Sequence, residues 1–353
     1  MGGTPSKDGS RDSFETLSIF KEKATIDDFE ILKYIGKGHF GKVYQVRHKT
    51  TSKIYAMKTL KKSQIQKNNQ IRNTKNERNV LAKSSHRFIV KLYYAFKTEK
   101  KLYLVMDYVS GGELFTHLKS RGPFPESWVR FYAAEILCAL NYLHMKNIVY
   151  RDLKPENILV QSSGHIKLSD FGLSKSNIEQ SNCETVCGTP AYLSPEMLKC
   201  EAYGTSVDIW ALGILLFELA AGTTPFYHKN RIAMSKRIIN TEIVYPSDFS
   251  YEFKSLLEGL LRKEPKERLS ANEVKRHPFF ESIDWEKVEQ GLLSPPFIPV
   301  TFGDADTSNF REMEIECSPN SPQELLEEPC RSESYSGFSF AEESNNMNIN
   351  ELK

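Results

Sequence analysis

Up to Asp107 the apolar residues of this chain gather in short runs of β-branched and aromatic side chains, separated by glycine and polar turns. Beyond Gly111-Gly112 they recur at helical spacing. This change of period constrains the fold more than any other feature. Residues 29–35, 43–48, 54–60, 91–96 and 102–107 read as strands. Among them lie a polar stretch at 61–69 and one helical segment at 73–82. From 126–144 onward the pattern is helical, interrupted by a short hairpin, 158–160 and 166–168, that flanks Ser162-Ser163-Gly164. It ends near His277-Pro278-Phe279-Phe280. Strands first and helices second predict an α+β, bilobal fold: a small β-rich lobe over 29–107 and a larger helical lobe over 108–280. Residues 1–28 are polar and read as a flexible extension. Residues 281–353, rich in Ser, Pro, Asn and Glu and without periodicity, read as a tail rather than a third domain.

Length and composition narrow the classes further. A chain of 353 residues suits one two-lobed domain of about 250–280 residues plus extensions. A net charge of +2, from 47 basic against 45 acidic residues, gives no reason to expect a nucleic-acid partner. The six cysteines sit singly, without metal-ligand spacing, and no secretory signal is evident, so a reducing, cytoplasmic setting is expected. The longest apolar stretch, 209–221, is interrupted by Glu218 and is too short to span a bilayer.

Several strings carry chemistry. Gly36-Lys37-Gly38-His39-Phe40-Gly41-Lys42-Val43 follows one predicted strand and opens another. Such glycines let backbone amides approach phosphate oxygens with no Cβ in the way. A dinucleotide site would need the glycines to open a helix, and Val43-Tyr44-Gln45-Val46 reads as a strand. Lys58, after Ala56 and Met57 at the end of the third predicted strand, can point a compact cation at phosphates, and Glu77 on the next helix can hold it by an ion pair.

Tyr150-Arg151-Asp152-Leu153-Lys154-Pro155-Glu156-Asn157 is the most informative string. Asp152 can accept a hydrogen bond from an incoming hydroxyl, Lys154 can balance charge growing on a phosphoryl group, and Asn157 can ligate a metal ion. Across the hairpin, Asp170-Phe171-Gly172 supplies a second metal ligand in Asp170. Phosphoryl transfer through a loose transition state needs mainly positioning and charge neutralisation, which two magnesium ions, a lysine and an aligning carboxylate supply.

In this order the strings are the protein-kinase signature, and the chain resembles a eukaryotic protein kinase over 29–280. The resemblance implies ATP in a cleft between two lobes, bounded by Ile35, the glycine loop and Val43, with Met106 as gatekeeper, Asp107 and Val109 on the hinge, and Glu113 near the ribose. Ser194-Pro195-Glu196 stands where Ala-Pro-Glu is usual, with Glu196 expected to pair with Arg268. Asp208 is expected to brace the catalytic loop, and Trp210 to lie on the central helix. Tyr150 replaces the usual histidine.

Thr185-Val186-Cys187-Gly188-Thr189-Pro190 looks like the activation segment of AGC kinases. Asp306-Thr307-Ser308-Asn309-Phe310 resembles their active-site tether, with Phe310 reaching the ATP pocket. Ser318-Pro319-Asn320-Ser321-Pro322 resembles a turn motif, and Tyr335-Ser336-Gly337-Phe338-Ser339-Phe340 the C-terminal hydrophobic motif. Together these are similar to the catalytic regions of protein kinase B, the serum- and glucocorticoid-regulated kinases and protein kinase C. Dead scaffolds on this fold usually lose the equivalents of Lys58, Asp152 or Asp170, and this chain keeps all three.

The same resemblance carries expectations about control and specificity. An upstream kinase phosphorylates Thr185, whose phosphate pairs with Arg151 and Lys175. Ser318 or Ser321, and Ser339, accept phosphate in the tail, and Phe338 and Phe340 dock beside the helix of Glu77. Asn73, where some relatives carry histidine, weakens the link from that helix to the activation segment. Glu113, Glu156 and Glu218 read arginines upstream of the target residue, and Thr189 with Lys154 favours serine or threonine over tyrosine. Met1-Gly2-Gly3-Thr4-Pro5-Ser6 fits acylation of Gly2, which with Lys7 and Arg11 gives at most reversible membrane attachment. Cys183 and Cys187 are expected to be inert thiols.

Overall fold

The computed structural model describes residues 24–38, 41–176, 186–310 and 335–342. The N-terminal lobe is built on five antiparallel strands: β1 (Phe29–Gly38), β2 (Gly41–His48), β3 (Ile54–Lys61), β4 (Leu92–Lys97) and β5 (Lys101–Asp107). Their order in the sheet is β1-β2-β3-β5-β4. Between β3 and β4 lie α1 (Lys62–Lys67) and α2 (Ile71–Lys83). Its central strands β3 and β5 are buried on both faces. Leu60, Leu102 and Leu104 pack toward α2 and the other lobe, while Phe29, Val46, Met57 and Val105 form a separate aromatic-rich cluster on the other side. That explains why these strands carry β-branched and aromatic residues on alternate positions of both parities.

The C-terminal lobe contains α3 (Leu114–Arg121), α4 (Glu126–Met145), the strands β6 (Ile148–Val149), β7 (Ile158–Val160), β8 (Ile166–Leu168) and β9 (Lys175–Ser176), and the helices α5 (Pro195–Leu198), α6 (Ser206–Ala221), α7 (Arg231–Asn240), α8 (Tyr251–Leu260) and α9 (Ala271–Arg276). α6 is buried nearly all round and ends at Gly222, whose φ of 75° suits a residue without a Cβ. Trp210 at its centre is fully buried and stacks on Phe226 with ring centroids 5.9 Å apart. Glu196 and Arg268 form a buried two-pronged pair at 2.8 and 3.1 Å, joining α5 to the loop before α9. Among the described residues no helix is long and apolar enough to cross a membrane.

Two differences from the sequence reading stand out. The polar stretch 61–69 contains a helix, because Ile65 is a single apolar anchor at full burial and Lys62 tucks its ammonium onto the Thr98 and Glu99 carbonyls at 2.7 and 3.1 Å. The tail, read as without periodicity, contains α10 (Trp285–Gln290) and β10 (Phe340–Ala341). α10 is capped by the Asp284 carboxylate, which accepts from Lys287 N at 3.2 Å, and it buries Val288 against the lobe. β10 adds a sixth strand, pairing Phe340 with Ala95 and Ala341 with Tyr94 of β4.

Candidate active site

A cleft of about 400 Å³ opens between the two lobes. Ile35, Gly36 and Lys37 at the end of β1 and Val43 on β2 form its upper wall, with Ala56 and Lys58 of β3 behind them. Met106, Asp107 and Val109 line the connection between lobes, and Glu113 and Glu156 line the rim. Asn157 and Asp170 lie at the floor, and Phe310 of the tail closes one side. Gly38 and Gly41 pair as the last residues of the β1–β2 hairpin, beside Lys42. A Cβ at Gly41 would overlap the Thr59 carbonyl, so β2 and β3 meet there only because the residue is glycine. His39 and Phe40 lie outside the described residues.

Register places the central cation. Lys58 lies opposite Leu104 on β5 and points into the cleft, although β3 continues past it to Lys61. Its Nζ is 2.6 Å from Glu77 Oε1 and 2.9 Å from Asp170 Oδ1. Burial alone would lower the lysine pKa, but the carboxylates of Asp170 and Glu77 outweigh it and hold Lys58 above its ordinary value. In turn the Lys58 ammonium holds Asp170 below the ordinary carboxylate value against the effect of burial. Asp170 adopts φ 49° and Arg151 φ 67°, left-handed conformations that non-glycine residues hold only when surrounding contacts impose them.

Those contacts are visible. Asp208 on α6, fully buried, accepts from Tyr150 N at 2.9 Å and Arg151 N at 2.8 Å, and its Oδ2 lies 2.8 Å from His144 Nε2. The Tyr150 hydroxyl donates to the Ser169 carbonyl, and its ring meets Phe171 edge-on at 5.1 Å. The loop held this way presents Asp152. Its Oδ2 accepts from Lys154 Nζ at 2.9 Å and Asn157 Nδ2 at 2.8 Å, and its Oδ1 from Thr189 Oγ1 at 3.2 Å. Lys154 Nζ also reaches Thr189 Oγ1 at 3.0 Å. An acid, a cation and a hydroxyl from two separate loops therefore converge beside the floor of the cleft.

The protein kinase domain family matches residues 29–280, most of the chain. The RAC family serine/threonine-protein kinase homolog of Dictyostelium discoideum is 45% identical over 92% of this chain and 74% of its own length. Serine/threonine-protein kinase sgk-1 of Caenorhabditis elegans is 46% identical, covering 86% of this chain and 68% of that protein. Serine/threonine-protein kinase gad8 of Schizosaccharomyces pombe is 48% identical over 81% of this chain and 51% of its own length. The chain belongs to the protein kinase family, as a serine/threonine kinase of the AGC group.

In this kinase the remaining expected residues fall into two groups. Glu218 accepts a hydrogen bond from the Tyr192 hydroxyl. Burial raises its pKa, the Tyr192 bond offsets part of that, and the neighbouring Glu156 charge raises it further, so Glu156 and Glu218 share one acidic locality. Tyr335 and Phe338 are almost completely buried, Phe340 is half-buried in β10, and Ser339 between them is exposed. Arg78 of α2 lies over the Phe338 ring at 5.9 Å and Lys62 over the Tyr335 ring at 5.3 Å. Tyr335 is therefore a full anchor of the motif beside Phe338. Gly2, Cys183, Thr185, Ser318 and Ser321 lie outside the described residues. Arg151, expected to meet a phosphate, donates to Leu173 O at 2.6 Å and Tyr203 Oη at 3.0 Å.

Sequence reasoning missed how the tail is latched across the cleft. Lys33 Nζ reaches Thr307 Oγ1 at 2.9 Å, Gln45 Nε2 reaches the Ala305 carbonyl at 2.9 Å, and the Tyr108 hydroxyl donates to the Asp306 carbonyl. Tyr108 also stacks on Phe310 with centroids 5.7 Å apart. The tether motif Asp306–Phe310 predicted that the tail reaches the cleft, but not these partners on the N-terminal lobe.

Proposed function

We propose that this kinase transfers the γ-phosphate of magnesium-ATP to a serine or threonine hydroxyl in protein segments that carry arginine upstream. The observation that supports this reading most is the convergence of Asp152, Lys154 and Thr189 beside a cleft that already holds the Lys58–Glu77–Asp170 set. Lys58, fixed by Glu77, contacts the α- and β-phosphates. Asp152 accepts a hydrogen bond from the incoming hydroxyl and turns its oxygen toward the γ-phosphate. Lys154 neutralises charge developing on the transferred group, and Thr189 keeps Asp152 and Lys154 in register.

Magnesium fits the floor of the cleft. It takes oxygen ligands, and Asp170 offers a carboxylate held ionised by Lys58. Asn157 directs its Nδ2 to Asp152 O and Oδ2, both at 2.8 Å, which leaves its carbonyl oxygen as the ligand. When bound, the metal supplies positive charge against the phosphate oxygens.

Specificity for arginine rests on Glu113, Glu156 and Glu218. A carboxylate whose proton affinity is raised by burial and an acidic neighbour, as at Glu218, is stabilised by an incoming guanidinium. Control rests on phosphorylation of Thr185 by an upstream kinase and of Ser339 and Ser318 or Ser321 in the tail. The same reading keeps the kinase in the cytoplasm, with acylation of Gly2 giving reversible contact with a membrane surface. Transfer of labelled phosphate to a peptide panel in which a single arginine is moved tests the specificity. Preference for arginine two or three residues before the target, lost in Glu156→Gln and Glu218→Gln, is expected; equal labelling of all peptides overturns it.

A further inference from the structure

Glu77 is not the only residue of α2 that reaches across to the segment after Asp170. Its neighbour Asn76 uses both ends of its side-chain amide. Nδ2 donates to the Ser174 carbonyl at 2.6 Å, and Oδ1 accepts from Ser176 Oγ at 2.8 Å. Ser174 is buried, and its own hydroxyl donates to the Phe171 carbonyl at 2.7 Å. Ser176 lies in β9, which pairs with Ile148 and Val149 of β6, the strand that runs directly into Tyr150. Asn73, one turn earlier on the helix, donates from Nδ2 to Gln70 Oε1 at 2.5 Å, just before the first residue of α2.

These contacts form a closed circuit. From α2, Glu77 reaches Asp170 through Lys58, and Asn76 reaches Ser174 and Ser176 directly. One helix therefore grips both ends of a seven-residue stretch that carries Asp170 and Phe171. Moving α2 outward breaks both grips together. We infer that Asn76 is a positioning residue for phosphoryl transfer: it ties α2 to β9 and so keeps Glu77, Lys58 and Asp170 in one arrangement. An amide suits the task because it presents one donor and one acceptor on a short, stiff stem, matched here to one carbonyl and one hydroxyl. This inference rests on the phosphoryl-transfer reading above.

The test uses the full chain and three variants: Asn76→Leu, which removes donor and acceptor at similar volume; Ser176→Ala, which removes only the hydroxyl; and their combination. Steady-state kinetics and amide hydrogen exchange are read on each. Asn76→Leu is expected to lower kcat about 10- to 100-fold, with a smaller change in peptide KM, and to speed exchange in Ile71–Lys83 and Lys175–Ser176 at least 10-fold. Ser176→Ala alone is expected to cost about 2- to 5-fold, and the combination no more than Asn76→Leu, since both changes cut the same tie. Native kcat together with native exchange in Asn76→Leu overturns the proposal, as does full additivity in the combination. Should Asn76→Leu fail to fold, Asn76→Asp carries the test: it sets an oxygen against the Ser174 carbonyl, and activity and exchange equal to native then overturn the proposal. The exchange measurement needs no turnover, so it decides the role of Asn76 even where the transfer reading itself fails.

Discussion

Replacing Phe338 by alanine should undock the C-terminal motif and lower activity at a cleft the residue does not line. Phe338 is 1% exposed, packed in the main core cluster beneath Arg78 of α2. Truncating a buried phenylalanine costs about 3–5 kcal/mol. The other anchors of 335–342 cannot absorb that. Tyr335 contributes a buried ring and a carbonyl held by Lys97 Nζ at 3.2 Å. β10 is only two residues long, and the Lys91–Glu342 pair is partly exposed and worth about 0–1 kcal/mol. Against these stands the entropy of ordering the segment, about 1–2 kcal/mol per residue. A loss of about 3 kcal/mol shifts the docked-to-free ratio by about 100-fold, enough to empty the site. Arg78 adjoins Glu77, so α2 loses its outer support and the Lys58–Glu77 contact opens more often. The assay pairs peptide kinetics with hydrogen exchange. Phe338→Ala should lower kcat at least 5-fold and remove protection from the amide of Glu342, which bonds Tyr93 O at 2.9 Å. Phe338→Leu should retain most of both. Native kinetics with lost protection would refute the coupling from tail to cleft, and retained protection would refute the energetic reasoning.

Three further outcomes are expected. Glu77→Gln, which leaves Lys58 with Asp170 as its only charged partner among the described residues, should lower kcat/KM for ATP by about 10- to 1,000-fold in steady-state assays. Arg268→Met leaves the Glu196 carboxylate buried and unpaired and should cost about 3–5 kcal/mol in denaturant unfolding, more than Glu196→Gln and Arg268→Met combined. His86, whose pKa is lowered to about 4 chiefly by burial and then by Arg87, accepts from Phe88 N at 3.2 Å only when its Nδ1 is unprotonated. The unfolded chain binds that proton first, so stability should be full above about pH 6.5 and fall between there and pH 4. The share due to this ring is on the order of 1–2 kcal/mol once partial exposure is allowed for, and His86→Asn should flatten it in pH-resolved melting.

Much of this architecture could be read from residue order because its signals are local. The β7–β8 hairpin lies where two apolar triplets flank Ser-Ser-Gly, and α4 coincides with a run of helical apolar spacing. Asp152, Asn157 and Asp170 stood out because they occupy short strings with fixed spacing. The features that escaped have no local signal. Ile65 is the one apolar residue in a polar stretch, and only its burial under β3 turns that stretch into a helix. α10 is six residues long with a single buried side chain, too short for a period to show. The latches Gln45–Ala305 and Lys33–Thr307 join residues separated by 260 and 274 positions, and nothing near Gln45 or Lys33 announces the partner. Asn76 bonds a segment about 100 positions away, while the asparagine that attracted notice, Asn73, bonds Gln70 at the start of its own helix.

The central claim is that Asp152 aligns a protein hydroxyl for attack on a nucleotide held by Lys58 and Asp170. Single-turnover transfer from γ-labelled ATP to an arginine-directed peptide, run beside nucleotide binding, tests it most directly in the native chain and in Asp152→Asn. The account predicts a rate at least 100-fold lower in the variant with nucleotide affinity little changed; equal rates, or a native chain that binds nucleotide and labels nothing, would contradict it.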